Sequence, residues 1–176
     1  MRAGLLAGAG AVFAPMVNRG RFLCAQGLEV SARAVELVGR STVIDMLGLL
    51  TLDWPKLYSW QRQPGSFGDA DLALLRASGV NVFHPAVEPN SSQPHATALH
   101  WLSGWSSLLS RYPEAFVRIS NAADLERSRS ERKIGLVLGF QNADHFRTVD
   151  DVAAFYRLGQ RVSQLTYNAR NRLGGG

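Results

Sequence analysis

Two periods of apolar and polar positions alternate along this chain. Four short apolar runs end abruptly in polar residues. The clearest is Ile134-Gly135-Leu136-Val137-Leu138-Gly139-Phe140, followed by Gln141-Asn142-Ala143-Asp144-His145. Ser41-Thr42-Val43-Ile44-Asp45, Val80-Asn81-Val82-Phe83-His84 and Val162-Ser163-Gln164-Leu165-Thr166-Tyr167-Asn168 repeat the pattern. Runs of this kind read as strands buried on both faces, as in a parallel sheet with helices outside. The predicted strands are residues 42–47, 80–83, 134–140 and 162–167.

Helical spacing fills the intervals. Residues 29–39 place Val30, Ala34, Leu37 and Val38 on one side and stop at Gly39. Asp69 is predicted to cap a helix carrying Leu72, Ala73 and Leu75, with Gly79 at the C′ position. A long helix carries Ala96, Leu99, Leu102, Trp105, Leu108 and Leu109 and ends before Pro113. Asn121 opens a short helix through Asp124, Leu125 and Arg129. Thr148-Val149-Asp150-Asp151 resembles a capping box with Asp in place of Glu. It starts a helix with Val149, Val152, Ala153 and Tyr156 on one face, ended by Gly159. Residues 53–63, with Trp54-Pro55 and Trp60, read as a loop, and Pro89-Asn90-Ser91-Ser92 as a turn.

Strand and helix in alternation mean a parallel sheet. The expected order is one-two-three-four with helices on one side: α/β, about the first four βα units of a TIM (β/α)8 barrel. No G-x-G-x-x-G follows the first strand and no P-loop is present, which speaks against a nucleotide-binding doubly wound fold. In parallel α/β folds the chemistry gathers at the C-terminal ends of the strands. That rim holds Asp45, Gln141, Asn142, Tyr167 and Asn168 as binding candidates. His84, Asp144 and His145 are metal candidates there, against the plainer reading of His84 as a hydrogen-bonded structural residue and of Asp144 and His145 as a solvated loop. His95 and His100 lie five apart and share no helix face.

Composition narrows the field. With 176 residues, 46% apolar and 19% charged, the chain suits one folded domain. A net charge of +5 raises nucleic acid as a partner. The charges are scattered, however, and Glu126 and Glu131 interrupt the densest group, Arg127, Arg129, Arg132 and Lys133. No zinc finger or ribonucleoprotein motif appears, so no nucleic-acid partner is expected. The single cysteine, Cys24, excludes an internal disulfide framework and a cysteine-based zinc site. The apolar run at residues 3–17 is too short to span a bilayer. It fits the h-region of an export signal with a twin-arginine-like remnant at Arg2, or alternatively a flexible apolar leader or a packed helix. The chain thus divides into a leader (1–26), an N-terminal helix (27–40) and a barrel portion (41–176), with an exported location expected.

Three segments together resemble the membrane dipeptidase (renal dipeptidase) family. They are Asp69-Ala70-Asp71-Leu72-Ala73-Leu74-Leu75-Arg76-Ala77-Ser78-Gly79-Val80-Asn81, Lys133-Ile134-Gly135-Leu136-Val137-Leu138-Gly139-Phe140-Gln141-Asn142 and Leu158-Gly159-Gln160-Arg161-Val162-Ser163-Gln164-Leu165-Thr166-Tyr167-Asn168. The resemblance covers residues 41–176, the N-terminal half of the family's catalytic domain. It implies a barrel of the amidohydrolase type, a small dipeptide-like substrate, and two zinc ions sharing a carboxylate and a water. It also implies a metal motif Asp-x-His-x-Asp after the first strand. Asp45 matches the first Asp, but the His and second Asp fall on Leu47 and Leu49. The bridging Glu falls on Gln141, and the His of Leu-Thr-His on Tyr167. The remaining ligands would lie beyond Gly176. The expectation is therefore a hydrolase family at large, with no zinc bound by this chain and no activity of its own. The alternatives are a non-catalytic binding protein or a fragment. Half a barrel also leaves open strand edges through which copies would associate.

Overall fold

The computed structural model describes residues 31–176, together with a two-residue antiparallel pair, β1 (Val17–Asn18) and β2 (Arg21–Phe22). Most of the predicted leader, with Cys24, and Val30 of the first predicted helix lie outside the described residues. From there the order is α1 (Ala32–Arg40), β3 (Ile44–Asp45), α2 (Trp54–Arg62), α3 (Asp69–Ala77), β4 (Val82–Phe83), α4 (Pro94–Arg111), β5 (Phe116–Arg118) and α5 (Ala122–Ser130). It ends with β6 (Ile134–Leu136), β7 (Gly139–Phe140), α6 (Val149–Arg157) and β8 (Val162–Ser163).

The sheet is parallel, as the alternation predicts. Ile44 pairs with Val82, and Val82 with Gly135. Gly139 pairs with Val162, and a single bridge joins Val87 to Phe140. The predicted strand at 134–140 is therefore central, but it is broken at Val137 and Leu138 into β6 and β7. Its lower half has a neighbour that sequence reading misses: β5 pairs with β6, giving the order β3-β4-β6-β5. β8 stops at Ser163, so Tyr167 and Asn168 lie in irregular chain beyond it.

Residues paired across strands share a face. Phe83, Leu136, Ile134 and Phe116 lie on one face and join the main core. That core includes Leu57 and Trp60 of α2, Leu75 of α3, Leu102, Trp105 and Leu108 of α4, and Phe155 of α6. Leu125 of α5 packs instead with Val82, Val117 and Ile119 on the other face, so the helices are not all on one side. The segment read as a loop at 53–63 is the helix α2. Asp53 caps it by accepting from the Lys56 amide at 3.1 Å, and Pro55 sits in its first turn, where its missing N–H is harmless. Apolar spacing is weak there because only Leu57, Trp60 and Gln61 are buried.

The other caps follow the sequence with one change. Asn121 accepts from the Asp124 amide at 3.0 Å. Asp151 closes the Thr148 box by accepting from the Thr148 amide at 3.3 Å. At α3 the cap is Gly68, whose amide donates to Asp71 at 3.1 Å, and Asp69 is already helical. Gly79 and Gly159 end their helices with φ of 74° and 108°, where a Cβ would be strained. On α6 the predicted apolar face is the exposed one: Val149 is 85% and Tyr156 57% exposed, whereas Phe155 and Asp151 are buried.

An aromatic chain fixes α2 to α4. Phe67 lies 5.1 Å from Trp60, 5.2 Å from Tyr112 and 5.2 Å from Phe116. The Tyr112 hydroxyl donates to the Phe67 carbonyl at 2.6 Å, and Gly104 lets α4 approach the backbone of Gln61.

Space is tight on the second face of the central strand. A Cβ on Gly139 would run into His84 Nε2 and stand 2.8 Å from Val162 Cβ. Gly139→Ala should therefore lower stability by about 1–3 kcal/mol, the usual cost of overpacking. Gly65→Ala, where the space is open, should change it little. Urea unfolding of the two variants checks this, and equal effects would contradict the close contact.

Candidate functional site

A cleft of about 910 Å³ opens at the C-terminal ends of the strands, between the chain after β3, the chain after β4, and helices α2 and α4. Leu47 and Leu49 line it after the first strand, Ala86, Val87 and Glu88 after the second, and Gln141 after the third. Tyr167 closes it from the chain beyond β8. Tyr58 and Trp101, 5.7 Å apart, form an aromatic wall, with Trp54 6.0 Å from Tyr58. Gln61, Arg62 and His100 add polar groups from the two helices.

The rim residues singled out from sequence divide into three groups. Gln141 and Tyr167 line the cleft. Asn142 is buried and acts one step back: its Nδ2 donates to Glu88 Oε1 at 3.1 Å, and its Oδ1 accepts from the Asp144 amide at 3.3 Å. Asp45 shapes the turn after the first strand by accepting from the Leu47 amide at 3.0 Å. Asn168 is exposed and does not line the cleft.

The three metal candidates are not brought together. His84 is 3% exposed, and its Nδ1 donates to the Met46 carbonyl at 2.7 Å, which leaves Nε2 as a bare acceptor against Gly139. Burial lowers its pKa, opposed by that carbonyl and by the charge of Asp45. His145 is fully buried rather than in a solvated loop. It lies among Phe140, Phe146 and Phe155, with ring centroids at 4.7, 4.1 and 4.8 Å. Its Nε2 donates to Gln160 Oε1 at 3.1 Å, since the Gln160 amide nitrogen already donates to the Val162 carbonyl at 3.1 Å. Asp144 remains partly exposed on the loop. Among the described residues no group of three or more His, Cys, Asp or Glu could hold a metal ion.

Glu88, Gln61, Arg62 and His100 escape sequence reading as a site. Glu88 stands five residues after the second strand, and the strand-end rule could have found it. Gln61 and Arg62 belong to the helix taken for a loop.

A parallel α/β fold with its cleft at the C-terminal strand ends is the arrangement of part of a (β/α)8 barrel. The chain belongs to the membrane dipeptidase family (peptidase family M19), whose model matches residues 31–176. Among solved structures it is similar to an amidohydrolase from Pseudomonas aeruginosa, with a TM-score of 0.59 and 23% identity. The match covers 81% of this chain and 39% of that one, so this chain spans well under half its length. That likeness gives the fold, an α/β arrangement consistent with part of a TIM-barrel hydrolase. No curated protein matches the sequence. Among the described residues no helix is long and apolar enough to cross a membrane.

The donor set does not fit the two zinc ions that the family resemblance implies. Leu47 and Leu49 have no lone pairs, Gln141 carries no charge, and Tyr167 offers a phenol rather than an imidazole. Glu88 supplies the cleft's carboxylate, and a single one leaves two close dications repelling strongly in a partly dry site.

The buried titratable groups set a pH dependence of stability. Burial lowers the His145 pKa from 6.5 to about 4, against the Gln160 hydrogen bond and the charges of Asp144 and Asp151, with His95 adding to the lowering. The unfolded chain takes up a proton that the folded one refuses, so stability falls as pH drops from 6.5 toward 4. Arg147 holds the Asp151 carboxyl far below the usual range, so the stability it gives is lost only in stronger acid. His145→Phe should flatten the slope between pH 6.5 and 4, with His84 leaving a residual one. Urea unfolding of both proteins across that range tests it; parallel curves would contradict the assignment.

Proposed function

We propose that this chain binds small peptide-like ligands in the strand-end cleft and does not hydrolyse them. One observation carries the reading. Leu47, Leu49 and Gln141, which the family resemblance aligns with metal ligands, line the cleft as two isobutyl groups and a neutral amide. The cleft keeps the address of a hydrolase site and lacks the donors for its chemistry. Apolar walls with a few polar groups suit a small organic ligand. Asp45 and Asn142 support the rim in this proposal, Asp45 by holding the Leu47 amide and Asn142 by holding Glu88.

Metal analysis of the purified protein, run beside a dipeptide cleavage assay, decides it. The expected result is dipeptide binding by calorimetry, without turnover and without stoichiometric zinc. Two zinc ions per chain with turnover would overturn the proposal. The triple variant Leu47→His, Leu49→Asp, Gln141→Glu should raise zinc affinity at least tenfold, because it restores two charges and one imidazole.

We further infer that residues 1–26 are an export leader, on the strength of the apolar run at 3–17 behind Arg2. Mass spectrometry of the protein from its native host should find a mature chain beginning close to Gln26. An intact N-terminus recovered from the cytosol would contradict this.

A further inference from the structure

The outer face of α6 leaves a line of apolar side chains open to solvent. Val149, Val152, Ala153 and Tyr156 recur at helical spacing and form one stripe. The buried residues of the helix are Phe155 and Asp151, so the stripe looks away from the sheet. Val149 is the most exposed large apolar side chain among the described residues, and Val152 is 50% exposed. Apolar surface that is contiguous rather than scattered marks a contact face.

Arginines frame the stripe. The Arg161 guanidinium lies 4.0 Å from the Tyr156 ring centroid and donates only to the carbonyls of Ser120, Tyr156 and Gln160. Arg172 reaches the start of the helix, where it donates to the Phe146 carbonyl. Arg157 is exposed in the last turn. A carbonyl accepts a hydrogen bond without cancelling charge. Among the described residues none of these three arginines pairs with a carboxylate. Arg147 is matched by Asp151, which leaves Asp150 as the exposed carboxylate of the helix. Positive charge therefore prevails around an apolar stripe. None of these residues lines the strand-end cleft.

We propose that the outer face of α6 rests on a lipid bilayer that presents anionic headgroups. Val149, Val152 and Tyr156 enter the boundary between headgroups and acyl chains, and the three arginines take phosphate oxygens around them. Tyr156 suits that depth, with an apolar ring and a polar tip. Charge argues against a second copy, because a two-fold contact would set the same arginines face to face. An acidic protein would need about 20–30 residues a side for a specific interface, and one helix stripe offers a fraction of that. A bilayer needs no matching shape, and its hold grows with apolar area and positive charge together.

Flotation of the full chain with vesicles tests this. Vesicles of phosphatidylcholine mixed with phosphatidylglycerol should bind it about tenfold more tightly than phosphatidylcholine alone, and added salt should erase the difference. Val149→Asp combined with Val152→Asp should weaken binding to the mixed vesicles about tenfold. Both positions are exposed and near the helix start, where carboxylates are favourable, and circular dichroism melts check that the fold stands. Arg157→Ser with Arg172→Ser should remove most of the preference for the mixed vesicles. Arg111→Ser with Arg129→Ser, which removes the same charge from other exposed positions, should leave it in place. Every variant keeps the same N-terminus, so the differences read the helix. No binding to the mixed vesicles, equal binding to both kinds, or binding that the two aspartates leave intact would overturn the inference. A dimer in ultracentrifugation that the aspartates dissolve would also overturn it, by giving the face to a second copy. Ligand binding in the cleft stands or falls separately from either result.

Discussion

The rest of the molecule is arranged around the bare second face of its central strand. At Gly139 the strand has no side chain, and His84 uses that room, with its Nε2 against the glycine. In that position the other ring nitrogen reaches the Met46 carbonyl at 2.7 Å. This bond, with the Asp45 carboxylate on the Leu47 amide, fixes the turn that carries Leu47 and Leu49 to the cleft. At Gly135 the same strand makes way for Ile119 and Val82 below. Two missing side chains thus decide the course of the chain at the rim and the packing beneath it. Any Cβ there meets backbone or branched side chains that cannot swing aside.

The regular parts of this architecture were legible in the sequence. Apolar runs at 134–140 and 80–83 have one interpretation in an alternating chain, and the caps at Asn121 and Thr148 announce their helices by hydrogen-bonding chemistry alone. Three features were not legible, each for a physical reason. The strand Phe116–Arg118 is only three residues long and follows closely on Pro113, and only its pairing with Ile134–Leu136 makes it a strand. The helix Trp54–Arg62 buries only three residues, too few to leave a periodic trace. On α6 the apolar residues that suggested a buried face are exposed, and the face that is buried contains Asp151, neutralised by Arg147. Periodicity marks which positions are apolar, not which neighbours exist to cover them.

The rim shows the same division. Strand-end logic locates Gln141 and Tyr167, because backbone topology alone brings them to the cleft. It misplaces His145, whose polar identity suggests solvent, although three phenylalanines and one glutamine make the interior hospitable to a neutral imidazole. It passes over Glu88 and Gln61, which only the structure brings to the cleft. Family membership fixes the scaffold and its address; the residues at that address decide which chemistry remains open.

The break at Val137 and Leu138 gives the central strand two sets of partners at two levels. Its lower half is bonded to β4 and β5, while its upper half meets only Val87 and β8. Amide hydrogens on the two halves are therefore bonded to different neighbours. Those of Gly135 and Leu136 lie in the floor that α5 helps cover, and those bonding Gln141 and Gln164 lie at the rim. In hydrogen exchange the rim amides should open by sub-global fluctuation and the floor amides only with the whole fold. A strand that is continuous in sequence thus serves as a fixed foundation at one end and a yielding margin at the other.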